Sequence, residues 1–165
     1  MNSQRERDFE AFYRREERRV LRLCYGVLGD PGLAQDAAQE AWIRYLRYAD
    51  GPRPQFSVPL LVTVALNAAR DWERRRRRRP EDLHADMIAF STAIEPDDRD
   101  LLDAVSKLPV QERGAVLMHY ALDMPIGEVA AVLQKRSGAV KSMLHRARGH
   151  LRSLLTPEEE ISHGR

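Results

Sequence analysis

Residues 125–155 read PIGEVAAVLQKRSGAVKSMLHRARGHLRSLL. Pro125 stands where a helix can begin, and Val129, Val132 and Leu133 then recur at helical spacing on one inward face. The polar turn Gln134-Lys135-Arg136 interrupts that run, and a longer helix is predicted from Ser137 to about residue 155. A short helix, a tight turn and a longer basic helix make the helix-turn-helix arrangement, whose second helix can lie in a DNA major groove. Upstream of it, Leu101, Leu102, Val105 and Leu108 keep a helical period that stops at Pro109. Val116, Leu117 and Tyr120 then belong to a helix over about 111–121.

The amino-terminal half is also helical by its periodicity. A helix over about 8–28 puts Val20, Cys24, Val27 and Leu28 on one face and is stopped by Gly29-Asp30-Pro31-Gly32. Asp30 as N-cap and Pro31 at the first helical position open a second helix to about residue 48, with Ala34, Ala37, Ala38, Ala41, Trp42 and Tyr45 inward. After Gly51-Pro52-Arg53-Pro54, a third helix over about 57–79 buries Leu61, Val64, Ala65, Ala68 and Trp72 and shows Thr63, Asn67, Arg70 and Arg74 on its other face. Val, Ile and Thr never alternate with polar residues, so no strand is expected. The fold class is all-α. Two small helical domains are expected, over 1–79 and 100–155, joined by an acidic linker over 80–99 and followed by an acidic tail over 156–165. At this size each is marginal alone, and a partner is expected to fix their relative position.

Charge supports that division. The 165 residues carry 27 Lys+Arg and 25 Asp+Glu, a net charge of only +2, but the charges are in blocks. Residues 74–79 are six consecutive arginines, while 80–103 holds eight acids against Arg99 alone, a local charge of −7. From Gln134 to Arg152 six basic residues stand without an acid. Two basic segments separated by an acidic one predict two surfaces for a polyanion. The arginine run is read as electrostatic footing, since consecutive residues point all round a helix. The weakly polar stretch 58–69 is too short to span a membrane, and residues 1–8 have no apolar signal core, so no membrane insertion or export is expected. Cys24, the single cysteine, reads as a small buried hydrophobe in a reducing, cytoplasmic setting. His84, His119, His145, His150 and His163 make no metal-ligand spacing, and no phosphate loop or nucleophile motif is present, so neither metal, cofactor nor enzyme activity is expected.

Taken in order, several short motifs resemble the extracytoplasmic-function (ECF) group of the sigma-70 family of bacterial RNA polymerase initiation factors. They are Asp36-Ala37-Ala38-Gln39-Glu40-Ala41-Trp42, Asn67-Ala68-Ala69-Arg70-Asp71 before the arginine run, Leu108-Pro109, Glu128-Val129-Ala130, Gly138-Ala139-Val140-Lys141-Ser142 and Leu144-His145-Arg146-Ala147-Arg148. The resemblance covers about residues 8–155. It implies that Gln35, Asp36, Gln39 and Glu40, which share one helix face, dock on the clamp helices of the largest subunit of core RNA polymerase. It implies that the third helix captures the unpaired minus-ten strand of promoter DNA, with Thr63 on that face, Asn67 offering donor and acceptor to a base edge, and Arg70 and Arg74 reaching phosphates. In the helix-turn-helix it implies minus-thirty-five recognition, with Ser137, Val140, Lys141 and Ser142 near the groove and Arg146 and Arg148 gripping phosphates. A contact of this domain with the flap of the second-largest subunit, and an inhibiting anti-sigma factor, are further implications.

The chain departs from the family pattern in places. The turn Gln134-Lys135-Arg136 lacks the usual glycine, which best tolerates positive φ, and Lys135 stands in place of an inward apolar plug, shifting the N-cap to Ser137. Met143 stands where a basic residue is common, and Pro59 where an aromatic often anchors the third helix. A stand-alone helix-turn-helix regulator would explain the carboxy-terminal half but leaves the Gln39-Glu40 stripe and the Asn67 face without a role. A protein-binding helical adaptor gives no reason for two arginine-rich faces.

Overall fold

The structure is a computed structural model that describes residues 3–51, 56–79 and 94–156. Among the described residues it holds seven α-helices and no strand. Helices α1 (Ser3–Leu28), α2 (Pro31–Ala49) and α3 (Val58–Arg78) pack into a first bundle. Gly29 ends α1 at φ 65°, where its N–H reaches Tyr25 O at 2.7 Å and only glycine is unstrained. Asp30 caps α2 as expected, its carboxylate accepting the Leu33 N–H at 2.9 Å with Pro31 at the first helical position. Ser57 caps α3. The aromatic anchor that Pro59 cannot supply comes from neighbours instead: Phe56 stacks on Phe12 at 5.3 Å, and the Tyr45 hydroxyl accepts the Ser57 N–H at 2.7 Å. Trp42 sets its edge against Phe12 (6.1 Å, 82°), so this bundle closes on an aromatic cluster between α1 and α2. Cys24 lies in the core, and burial pushes its thiol up to about 12.

The second bundle comprises α4 (Pro96–Ser106), α5 (Val110–Val116), α6 (Ile126–Leu133) and α7 (Ser137–Leu155). Residues 80–93 and the acidic tail from 157 lie outside the described residues. The stretch read as linker therefore gives up its last residues to α4, where Pro96 starts the helix and Asp97 and Asp98 favour the positive end of its dipole. Helix α5 runs on through one π turn, Leu117–Ala121. That turn adds a residue to the helical circuit; Leu117 and Met118 are buried in it while Tyr120 is 41% exposed. Trp72, Val132 and Leu133 are half-buried rather than fully inside.

The turn before α7 shows what the missing glycine costs. Gln134 itself takes the left-handed conformation (φ 53°, ψ 45°), and the N-cap of α7 is the extended Arg136, without a side-chain bond, rather than Ser137. Lys135 is exposed and lines a cleft with Pro109, Glu112 and Arg146 instead of plugging the core. A non-glycine residue in this region is strained by roughly 1 kcal/mol. Gln134→Gly is accordingly expected to raise Tm by about 2–4 °C in a thermal melt.

The bundles are not independent: they dock through α1 and α3 on α4, α5 and α6. Leu117 fills the space above Gly26, where an added Cβ would lie 2.3 Å from its Cδ2. Arg113, 8% exposed, reaches across from α5 to donate to Val27 O at 2.6 Å and to its own bundle's Leu108 O at 2.7 Å, with Glu73 of α3 at 3.6 Å. The Tyr25 hydroxyl donates to Asp103, Arg22 pairs with Asp98 at 3.4 Å, and Leu66 and Arg70 lie against Gly114. A single apolar core runs through both bundles.

Candidate polymerase and nucleic-acid interfaces

Helix α2 turns its alanine and Trp42 stripe inward, which leaves the opposite face to water. Asp36 and Gln39 are exposed on that face and Gln35 is half-buried. Glu40, also half-buried, is turned toward α3: its carboxylate accepts from Arg44 and from the Trp72 indole N–H at 2.8 Å, with Arg75 at 3.4 Å. Burial by itself would raise this carboxyl, but the bonds from Arg44 and Trp72 and the charges of Arg44 and Arg75 together hold it below its ordinary value. Ile43, one turn beyond Gln39 and Glu40, is 55% exposed and adds an apolar member to the stripe. Sequence reasoning passed over it because an isoleucine in an amphipathic helix reads as core. The spacing 36, 39, 43 was the available signal.

Helix α3 presents Asn67 and Arg74 to solvent and leaves Thr63 half-buried, its hydroxyl donating to Pro59 O at 2.8 Å. Arg70, expected to reach phosphates, is half-buried with its guanidinium 3.3 Å from where a Gly114 Cβ would stand. Burial first, and Arg74 second, lower its pKa. In the docked arrangement this arginine is packed on the second bundle. The arginine run is not a uniform footing either. Arg74 pairs with Asp71, Arg75 lies 4.9 Å over the Trp72 ring, and Arg76 bonds Leu28 O and the buried Glu73, which Arg77 also approaches at 3.5 Å. Two of the six arginines reach off α3, Arg75 toward Glu40 of α2 and Arg76 to Leu28 O of α1.

Helix α7 carries Val140, Met143, Leu144 and Ala147 inward. Val140 is 0% exposed, so it belongs to the core and not to a DNA face, a correction that follows from its place on the same stripe as Leu144 and Ala147. Met143 is apolar for the same reason. The outward face consists of Ser137, Lys141, Ser142, His145, Arg146, Arg148 and Arg152, all exposed. His145 and Arg152 were readable from the spacing 141, 145, 148, 152 once the buried stripe was known. Three of these side chains have partners: Ser142 donates to Gly138 O at 3.1 Å, Arg148 donates to the Tyr120 hydroxyl at 2.5 Å, and Arg146 lies 3.7 Å from the buried Glu112, which also contacts His150 Nδ1 at 2.9 Å. These ties fan the basic side chains along the helix and leave Lys141 and Ser142 at its amino-terminal end, the end that enters a groove.

No group of three His, Cys, Asp or Glu residues among those described could hold a metal ion, and none of their helices is long and apolar enough to cross a membrane. Comparison with known proteins accounts for both bundles. Residues 12–79 match the family model "Sigma-70 region 2", and residues 98–151 match "Sigma-70, region 4". The chain is 32% identical over 152 residues to the RNA polymerase sigma-E factor of Streptomyces antibioticus, covering 90% of this chain and 84% of that one. It is 31% identical over 157 residues to the ECF RNA polymerase sigma factor SigE of Mycolicibacterium smegmatis, covering 89% of this chain and 61% of that one. It spans only 37% of the length of the "Probable RNA polymerase sigma factor RfaY" of Xanthomonas campestris, at 30% identity. The fold is similar to that of sigma factor RpoE of Bartonella quintana, solved with the anti-sigma factor NepR, at a TM-score of 0.71 and 20% identity over 92% of this chain and 98% of that one. With a polar stripe on α2, a basic face on α3 and a helix-turn-helix on α6 and α7, matched by both family models, the chain belongs to the sigma-70 family of RNA polymerase sigma factors, in its ECF group.

Proposed function

We propose that this sigma factor holds core RNA polymerase through the α2 stripe of Gln35, Asp36, Gln39 and Ile43 and reads two promoter elements with its two bundles. Asn67, Thr63 and Arg74 on α3 receive the unpaired minus-ten strand, joined by Arg70 once it leaves Gly114. Unstacking a base costs a few kcal/mol, which stacking, base-edge bonds and phosphate contacts offset. Lys141 and Ser142 enter the major groove of the minus-thirty-five element, with Ser137 beside them and Arg146, Arg148 and Arg152 on phosphates. The observation that carries this reading is the pairing of exposed, chemically distinct faces on α2, α3 and α7, each backed by a buried stripe. The flap of the second-largest subunit is proposed as the further polymerase contact, and the cytoplasm as the setting. The solved relative is bound to an anti-sigma factor, which supports such an inhibitor here.

Purified chain added to core polymerase, with transcript starts mapped on genomic DNA, tests the reading. Promoter-specific starts support it, whereas DNA binding without polymerase binding favours a stand-alone regulator. Lys141→Ala is expected to weaken holoenzyme binding to the mapped promoters and to reduce the slope of log affinity against log salt by about 1 if Lys141 neutralises a phosphate; loss at one base position with an unchanged slope assigns it to a base edge instead.

A further inference from the structure

We propose that Glu40 is a positioning residue for minus-ten strand capture, acting across to α3, and is not an anchor for the polymerase. The proposal rests on the reading that α3 takes the unpaired strand. Both carboxylate oxygens are occupied from within the molecule: Oε1 accepts from Arg44 Nη2, and Oε2 accepts the Trp72 indole N–H at 2.8 Å and faces Arg75 Nη1 at 3.4 Å. Arg44 turns its second nitrogen, Nη1, to Asp71 Oδ2 at 2.9 Å, and Asp71 Oδ1 accepts from Arg74. A continuous series of charge-assisted bonds therefore runs from α2 at Glu40 to Arg74, a member of the exposed face of α3.

Each link has a consequence for the next. Arg44 is shared between two carboxylates, and both Glu40 and Asp71 are held below their ordinary values although burial pulls the other way. Neutralising Glu40 releases Arg44 and Arg75 from one acceptor and leaves Arg44 to compete with Arg74 for Asp71. Trp72 loses the partner that fixes its ring, over which Arg75 is stacked. Glu40 is already bonded by Arg44 and Trp72 and faced by Arg75, whereas Asp36 and Gln39 face solvent on the same helix. The role of Glu40 is to hold arginine side chains of α3 in one arrangement before the strand arrives, so that their rotamer entropy is not lost on binding.

The test uses the full chain and core polymerase, with a fork-junction DNA built on a start site mapped with the wild-type holoenzyme. Glu40→Gln is expected to leave core affinity within about twofold of wild type and to weaken fork-junction binding about five- to tenfold, well below Tm. Trp72→Phe, which removes the N–H donor and shortens the ring under Arg75, is expected to act in the same direction, and the double variant to lose less than the product of the two. Gln39→Ala is the control and is expected to lower core affinity with fork binding by the assembled holoenzyme retained. If Glu40→Gln and Trp72→Phe lower core affinity as Gln39→Ala does, or lower Tm without moving fork-junction binding, the positioning role is overturned. If the wild-type holoenzyme discriminates no fork junction, or Gln39→Ala leaves core affinity intact, the functional reading beneath it fails instead.

Discussion

Arg113→Ala is expected to lower the stability of the whole chain by about 3 kcal/mol, more than any single surface change. Arg113 is buried, and its guanidinium bonds the carbonyls of Val27 and Leu108 and faces Glu73. Deleting it leaves two buried carbonyls without that donor and a cavity the size of the side chain. Glu73 keeps Arg76 and Arg77, so the loss falls short of that for a fully orphaned buried carboxylate. For a chain of this length the change corresponds to a fall in Tm of roughly 6–12 °C. Calorimetry checks it, and a shift under 2 °C would show that water replaces the guanidinium at no cost. Arg113→Lys is expected to recover only part of the loss, since one ammonium cannot reproduce the forked geometry.

The second large effect is expected at Gly26. A Cβ there meets Leu117 Cδ2 at 2.3 Å and Cδ1 at 2.9 Å, and Leu117 is only 1% exposed, so its side chain has nowhere to turn. Gly26→Val should cost about 1–3 kcal/mol in overpacking at the joint, against a gain of a few tenths from helix propensity. Because the clash lies between the bundles, separating them relieves it with both bundles still folded. Solution scattering should show a radius of gyration above the roughly 15 Å of a compact chain of this length, with helical circular dichroism unchanged. Loss of helicity in step with expansion would place the clash inside the first bundle's fold instead.

Much of this architecture was legible in the sequence because helical signals are local. Asp30-Pro31 set the start of α2, Gly29 the end of α1, and Ala34, Ala37, Ala41 and Tyr45 its buried stripe, each through contacts within a few residues. Errors arose where the period changed or distant parts met. A π turn inserts a residue without a sequence mark, so the exposure of Tyr120 beside the buried Leu117 and Met118 does not follow from helical spacing alone. The position of Val140 near the start of α7 points to the groove face, while its spacing from Leu144 and Ala147 puts it on the buried stripe, and the stripe prevails. The commitments of Glu40, Arg70 and Arg76 were invisible, since they depend on α2, α5 and the end of α1 lying beside α3. Of the site, the exposed polar positions could be read from the chain; which of them are already engaged could not.

The joint between the bundles also bears on how tightly the polymerase is bound. A compact chain of this size is about 40 Å across. Promoter elements named for positions 25 base pairs apart are separated by about 85 Å along B-form DNA, at roughly 34 Å per ten base pairs. A docked molecule covers one of them, so if the two bundles read the two elements as proposed, bridging both requires the Arg113 and Leu117 contacts to part. Only the undocked fraction of molecules is then competent, and apparent affinity for the two-element complex falls by that fraction. If docking contributes about 3 kcal/mol, roughly one molecule in 150 is open, and the assembled complex forms about 150-fold more weakly than the open chain alone would allow. On the proposed reading of the two bundles, the residues that hold the joint compete with assembly on two elements, and a loosened joint is expected to give a less stable protein that engages its promoter complex more tightly.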